Sequence, residues 1–135
     1  MNIVLDTNIL LVSVSSRSKY HWIYKKYLEG KYKLCVTNEV LFEYEEILTS
    51  HLGKAAATAV IETILINPNT INTTVYYKWH LIEVDKDDNK FVDCALAANA
   101  KFIVSEDRHF DVLKNTSFPK IDVLNIKEFE KVFSE

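Results

Sequence analysis

Short apolar runs that end abruptly in polar residues are the feature that most constrains the fold of this chain. Asn2–Leu5 is one such run, and Asp6 follows it directly. Residues 101–105 form a second run, which is followed by Glu106 and Asp107. Runs of this kind are typical of strands that are buried on both faces, as in a parallel sheet. Because open parallel sheets bind ligands at the carboxyl ends of their strands, we expect both acidic ends to lie at a binding site.

Segments with helical spacing of apolar residues alternate with the apolar runs. Further strands are predicted at 33–37 and 121–124, and the β-branched stretch 70–77 is predicted to be extended. A helix is predicted at 19–29, ending at Gly30, and another begins at a cap formed by Thr37 or Asn38. Further helices are predicted at 54–66, 91–98 and 126–133, with a helix or turn at 9–14 and a short helix at 110–113. The alternation predicts an α/β fold in which helices cover both faces of a parallel sheet.

Length and composition favour one globular domain that spans residues 1–135. The chain is 48% apolar and 26% charged, a usual mix for a single domain of this size. No apolar run approaches the roughly 20 residues needed to cross a bilayer. The N-terminus also lacks the basic segment that leads into the apolar core of a signal peptide. We therefore expect a soluble, cytoplasmic protein.

A stretch of interleaved lysines and aromatic residues, at 19–33, has two interpretations. The net charge of −3 gives no global attraction to nucleic acid, so only a local basic cluster could provide one. Lysines beside aromatic rings can hold phosphates and stack bases. The same pattern is also typical of an amphipathic helix whose aromatic residues are buried and whose lysines are solvated. Both interpretations stay open at the level of sequence.

Four acidic residues on separate predicted elements are expected to meet in one pocket: Asp6, Glu43, Asp88 and Asp107. Carboxylates cannot gather as bare anions without strong repulsion, so such a pocket must raise their pKa values or hold cations. Carboxylate oxygens suit hard ions such as Mg2+ or Mn2+, which bind a few carboxylates together with waters and substrate phosphate. Ions of this kind activate water for attack on a phosphodiester. The pattern therefore indicates metal-dependent phosphodiester hydrolysis.

Each of these acids also has a structural interpretation. Asp6 could cap the following helix, and Asp88 could be an N-terminal helix acid that is favoured by the helix dipole. Glu45 and Glu46 compete with Glu43 for its role on the predicted helix. Asp85 and Asp87 are interpreted as solvated bystanders, and His109 as a lone surface histidine.

Four motifs in order along the chain resemble those of the PIN-domain nucleases. Residues 3–8, Ile-Val-Leu-Asp-Thr-Asn, look like the first motif of that family, and residues 37–44, Thr-Asn-Glu-Val-Leu-Phe-Glu-Tyr, look like the second. Residues 87–97 and 103–107 look like the third and the fourth. The resemblance covers nearly the whole chain.

The resemblance implies a three-layer α/β/α sandwich with a central, mainly parallel sheet. It also implies an Mg2+- or Mn2+-dependent endoribonuclease, often the toxin of a toxin-antitoxin pair, that forms a homodimer and is silenced by a small antitoxin protein. The acids Asp6, Glu43, Asp88 and Asp107 would be the catalytic and metal-binding residues, with Asn8 and Ser105 as polar supports and Asp93 as a fifth acid. Asp93 lies about 140° around a helix from Asp88, so it is expected to act as a supporting partner or as a ligand of a second metal.

Two alternatives compete with the nuclease interpretation. A phosphoacceptor receiver domain also alternates strands and helices, but it needs paired acids after its first strand, and Asp6 is followed by Thr7. A receiver also needs an aspartate after a middle strand, and the predicted strand at 33–37 has none. The second alternative is an inactive PIN-like module that only binds RNA or protein. The presence of all four acids argues against it.

Overall fold

A five-stranded sheet organises residues 1–134, the part of the chain that the computed structural model describes. Glu135, the last residue of the predicted domain, lies outside it. The strands are β1 (Asn2–Leu5), β2 (Lys33–Val36), β3 (Thr70–Asn72), β4 (Phe102–Val104) and β5 (Asp122–Leu124). They are ordered β3-β2-β1-β4-β5, and each neighbouring pair is parallel.

Helices connect the strands. The α-helices are α1 (Thr7–Ser13), α2 (His21–Leu28), α3 (Asn38–Leu52), α4 (Lys54–Ile66), α5 (Asn89–Ala97) and α6 (Ile126–Ser134), with 3-10 helical segments at Lys86–Asp88 and Arg108–Asn115. The predicted three-layer α/β/α architecture with a mainly parallel sheet is confirmed. None of the helices in residues 1–134 combines the length and the apolar character that a membrane span requires.

The strand order places a topological switch point between β1 and β4. The chain moves outward from β1 through β2 to β3, then returns to the other side of β1 as β4. Ligands of open α/β sheets bind in the crevice at such a point, beyond the carboxyl ends of the strands. A receiver domain has the order 2-1-3-4-5 instead, so the topology excludes that alternative.

The central strand β1 is buried and fixes the position of Asp6, which follows it. Ile3, Val4 and Leu5 are at most 1% exposed, which is expected for a strand with neighbours on both sides and helices on both faces. The pairing with β4 continues one residue past β1, because the Asp6 backbone N–H donates to the Val104 carbonyl at 3.0 Å. The backbone of Asp6 is thus fixed by the sheet.

The helices begin and end where local chemistry favours it. The Thr37 hydroxyl accepts a hydrogen bond from the Val40 backbone N–H at 3.1 Å and caps α3. After α2, Gly30 adopts a φ of +78°, a left-handed conformation that is common directly after a helix. The predicted cap at Thr37 and the predicted stop at Gly30 are both confirmed.

The aromatic residues of the 19–33 stretch belong mainly to the core. Tyr24, Tyr27 and Tyr32 are buried. The Trp22 ring lies 5.5 Å from the ring of Phe129 in α6. The amphipathic-helix interpretation is therefore correct, and this stretch offers no row of free rings for stacking bases.

The chain between β3 and α5 differs from the prediction. Only Thr70–Asn72 pairs as a strand, and residues 73–85 contain no helix or strand. Side chains close this segment onto α5: the Asn89 amide accepts from the Ile82 N–H at 2.9 Å and donates to the Ile82 carbonyl at 2.8 Å. The segment is thus held by side-chain bonds to the start of the next helix, which apolar periodicity does not reveal.

Candidate metal centre

Asp6 is the most deeply placed acid of the centre. It directly follows β1 and precedes α1, but its side chain makes no capping hydrogen bond to that helix, so the capping interpretation fails. The Ser105 hydroxyl, at the end of β4, donates to Asp6 Oδ2 at 2.8 Å. Asp6 is only 6% exposed, and this burial, together with the charges of Asp88 and Asp107, raises its pKa to about 6. The site therefore disfavours the ionised form of Asp6.

Asp107 is held near Asp6 by the turn that follows β4. The Asp107 backbone N–H donates to the Ser105 hydroxyl at 3.0 Å, so one hydroxyl connects both acids. Asp107 Oδ1 in turn accepts from the His109 backbone N–H at 2.9 Å and caps the 3-10 segment. These bonds fix both acidic strand ends at the switch point, as the sequence predicts.

Asp88 approaches the same centre from the start of α5. It is 9% exposed, and burial followed by the charges of Asp107 and Asp85 raises its pKa against the opposing effect of His109. His109 Nδ1 lies 3.1 Å from Asp88 Oδ2, 3.5 Å from Asp107 Oδ1 and 4.0 Å from Asp85 Oδ2. Bonding to Asp88 raises the pKa of His109.

The contacts of His109 correct two expectations. His109 is not a lone surface histidine, because its ring joins the carboxylates of Asp88 and Asp107. Asp85 is not a simple bystander either. Its Oδ1 accepts a hydrogen bond from the Asp87 backbone N–H at 3.0 Å, and its Oδ2 lies 4.0 Å from His109 Nδ1. Asp85, Asp88 and His109 each offer a ligand atom within 4.8 Å of the others.

Glu43 completes one side of the centre. Its carboxylate accepts a hydrogen bond from the Thr7 hydroxyl and a second from Lys90 Nζ at 2.9 Å. Thr7 directly follows Asp6 in the chain, so this contact brings Glu43 beside the centre. The Glu43 side chain is 21% exposed, whereas Glu45 and Glu46 are on the exposed part of α3, so Glu43 is the one of the three that lies beside the centre.

Lys90 is the counter-charge of Glu43. Its side chain is 19% exposed. Burial lowers the pKa of Lys90, but the hydrogen bond and the charge of Glu43 outweigh this effect and raise it. A half-buried lysine at this position balances the charge of Glu43, while His109 contacts Asp88 and Asp107.

Asp93 and Asn8 lie apart from this group. Asp93 Oδ1 accepts from the Trp79 backbone N–H at 3.1 Å. Burial raises the pKa of Asp93, and its nearest charged groups are His80, Lys78 and Glu39. Asn8 is exposed in α1. Within residues 1–134 no hydrogen bond joins either side chain to the carboxylates of the centre, so their predicted metal-site roles stay predictions.

A cleft of about 420 Å³ adjoins the centre at the carboxyl ends of β2 and β3. Thr37 and Thr73, which follow these two strands, line it, as do three lysines: Lys78, Lys86 and Lys90. Lys90 belongs to both regions, since it lines the cleft and bonds Glu43. The cleft therefore adjoins the acidic centre through Lys90.

The residues of the centre fit a divalent cation. Carboxylate oxygens of the three acids are the donors that hard ions prefer, and a cation would offset the burial and the smaller repulsion between acids that raise the pKa values of Asp6 and Asp88.

Comparison with solved structures supports the fold. VapBC2 from Rickettsia felis, solved bound to a promoter DNA fragment, superposes with a TM-score of 0.65 at 17% identity, covering 93% of this chain and 98% of that one. VapC20 from Mycobacterium tuberculosis, described as a sarcin-ricin loop cleaving toxin, gives 0.61 at 17% identity over 81% and 92% of the two chains. DNA-bound VapBC from Salmonella typhimurium gives 0.59 at 15% identity over 93% and 98%. At these identities the similarities support the fold alone.

Comparison of sequences identifies the family. No curated protein matches the chain significantly. A family model described as the PIN domain matches residues 2–109, a range that includes every residue of the acidic centre. The chain therefore belongs to the PIN-domain family.

Proposed function

We propose that the protein is a metal-dependent endoribonuclease that hydrolyses RNA phosphodiester bonds and serves as the toxin of a toxin-antitoxin pair. One observation carries the proposal: Asp6, Asp88 and Asp107 converge at the topological switch point of a PIN domain, with Glu43 beside them. This placement supports a shared ligand site for the acids over separate structural roles.

Mg2+ or Mn2+ is the proposed cofactor. Asp6, Asp88 and Asp107 would hold it, and Glu43 would complete the site. When bound, such an ion supplies a water of lowered pKa and charge stabilisation at the phosphate. The chain contributes no nucleophilic side chain to this scheme.

The surrounding residues orient the acids. The Ser105 hydroxyl bonds Asp6 Oδ2 and the Asp107 N–H, so it fixes the distance between the two acidic strand ends. Lys90 and Thr7 hold Glu43 from opposite sides of its carboxylate, through Oε1 and Oε2. Preorganised side chains of this kind reduce the reorganisation that a reaction would otherwise require.

The lysine-lined cleft supports RNA as the substrate. A polynucleotide that crosses the acidic centre needs positive charge on either side of the scissile phosphate to offset the repulsion. Lys86 would offer such charge in the cleft that adjoins the centre at Lys90, whereas Lys78 is paired there with Glu39 at 3.7 Å, and Asp87 and Asp93 also line the cleft. The Mycobacterium protein with a similar fold is described as a loop-cleaving toxin, which agrees with this assignment.

An antitoxin protein is the proposed partner. The similar structures from Rickettsia felis and Salmonella typhimurium are VapBC assemblies solved with DNA, and they support a partner of this kind. A homodimer and a cytoplasmic site of action are part of the same proposal. Light scattering of the purified protein, with and without a co-expressed antitoxin, measures both assembly states.

The experiment that tests the proposal is cleavage of an RNA and single-stranded DNA panel with EDTA, Mg2+ or Mn2+. Wild type is compared with Asp6→Asn, Asp107→Asn and a matched control, Asp111→Asn. Asp111 is 60% exposed and pairs with surface Lys114 at 3.4 Å. We expect metal-dependent RNA cleavage by wild type and the control and its loss in the other two variants.

Two results contradict the proposal. Cleavage by Asp6→Asn at the wild-type rate would show that the centre is wrong. Absence of both cleavage and metal binding in the folded wild type would favour an inactive module that only binds RNA or protein.

A further inference from the structure

We propose that His109 is a nitrogen ligand of the metal centre, through Nδ1, and that it makes the site prefer Mn2+ and later divalent transition metals over Mg2+. This inference rests on the metal site of the proposed function and adds a residue to it. Neither the acid pattern of the sequence nor the resemblance to the family assigns such a role to His109.

Three carboxylates from two separate segments face one ring nitrogen. His109 Nδ1 lies 3.1 Å from Asp88 Oδ2, 3.5 Å from Asp107 Oδ1 and 4.0 Å from Asp85 Oδ2. Asp85 and Asp88 come from the segment before α5, and Asp107 comes from the turn after β4. The nitrogen therefore stands where the two acidic segments meet.

The spacing of these atoms suits ligands around one ion. Bonds of about 2.1 Å in an octahedral site place neighbouring ligand atoms about 3.0 Å apart and opposite ones about 4.2 Å apart. The distances from His109 Nδ1 to Asp88, Asp107 and Asp85 fall within or near this range, from 3.1 to 4.0 Å. The ligand atoms of Asp85, Asp88 and His109 all lie within 4.8 Å of one another, so these three residues could hold one ion, with Asp107 beside them.

The local backbone holds the ring in this orientation. Asp107 Oδ1 accepts the His109 backbone N–H at 2.9 Å, so ring and carboxylate belong to one tight turn at the start of the 3-10 segment. Asp85 Oδ1 is occupied by the Asp87 N–H, which directs Oδ2 toward the ring. The His109 side chain is 38% exposed, so an ion from solvent has access to it.

The ligand type sets the expected metal preference. Mg2+ retains waters and favours oxygen donors, whereas imidazole nitrogen increases affinity for transition metals. A site of carboxylates alone would discriminate weakly between Mg2+ and Mn2+. One added imidazole increases the affinity of the site for Mn2+, Co2+ and Zn2+ relative to its affinity for Mg2+.

The test measures metal binding, not cleavage. Calorimetry gives Mn2+ and Mg2+ affinities of wild type, His109→Gln and the control His51→Gln, which changes an exposed histidine of α3. Pulsed electron paramagnetic resonance of the Mn2+-loaded proteins detects the 14N coupling of a directly bound imidazole. Circular dichroism checks that both variants are folded.

We expect the 14N coupling in wild type and His51→Gln and its loss in His109→Gln. The ratio of Mn2+ to Mg2+ affinity should fall about tenfold in His109→Gln, the size of effect that ligand-shell changes produce. An unchanged ratio, or 14N coupling that persists in His109→Gln, would overturn the inference. RNA cleavage separates this from the proposed function: a wild type that binds Mn2+ through nitrogen but cuts no RNA overturns the function alone.

Discussion

The substitution Asp6→Asn should stabilise the metal-free protein while it removes activity. Asp6 is 6% exposed, and burial beside two other acids raises its pKa from 3.8 to about 6. The folded state therefore binds the Asp6 proton more tightly than the unfolded state does. Where the unfolded state binds fewer protons than the folded one, stability falls as pH rises. The charge of Asp6 thus destabilises the fold, fully so above pH 6.

The magnitude follows from the two pKa values. A difference of about 2.2 between them corresponds to about 3 kcal/mol at 1.36 kcal/mol for each tenfold change in proton affinity. The pKa of about 6 already includes the Ser105 hydrogen bond, which favours the ionised form, so this bond is not subtracted again. The gain should therefore be about 3 kcal/mol at pH 7.5, which raises the melting temperature by roughly 10 °C in a domain of this size.

Urea unfolding in EDTA measures this gain at two pH values. At pH 5 the same linkage gives about half the charge cost found at pH 7.5, so the advantage of Asp6→Asn should shrink to about half there. Addition of Mn2+ should then stabilise wild type and leave Asp6→Asn unchanged, since only a folded state that binds the ion gains from it. A variant less stable than wild type at pH 7.5, or a difference independent of pH, would refute the reasoning.

Three further substitutions test the supports of the site. Ser105→Ala removes the hydroxyl that links Asp6 to the turn after β4, and calorimetry should find metal affinity weakened about tenfold without loss of fold. Asn89→Ala leaves the N–H and carbonyl of Ile82 without their partner, so urea unfolding should show about 1 to 3 kcal/mol of destabilisation. A destabilisation below half of the lower value would contradict the anchoring role of Asn89. Lys86→Ala, in an inactive background, should lower the slope of log affinity for RNA against log salt by about 0.7, and an unchanged slope would place RNA outside the cleft.

The positions of the acids could be predicted where they follow strands. Asp6 and Asp107 end two apolar runs, and parallel strands necessarily bring such ends to one edge. The aromatic stretch also carried a usable signal, because Tyr20, Tyr24 and Tyr27 repeat at helical spacing and such a face is usually buried. Sheet, layers and acidic edge therefore follow from local pattern.

The partners of those acids could not be predicted in the same way. Lys90 reaches Glu43 across 47 residues, and His109 reaches Asp88 across 21. Both contacts depend on how the irregular segment before α5 is folded, which apolar periodicity does not encode. The one local signal was the spacing of Asp107 and His109, since an aspartate often accepts the N–H two residues later and so fixes the turn.

Diffraction at the Mn2+ absorption edge tests the central claim most directly. Crystals of wild type soaked in Mn2+ should give an anomalous peak among the carboxylates of Asp6, Asp88 and Asp107, and crystals of Asp6→Asn should give none there. A wild-type peak within bonding distance of His109 Nδ1 would also support the nitrogen ligand. Crystals that show no peak at saturating Mn2+, or a peak only at Asp93, would contradict the assignment of the acidic centre as the metal site.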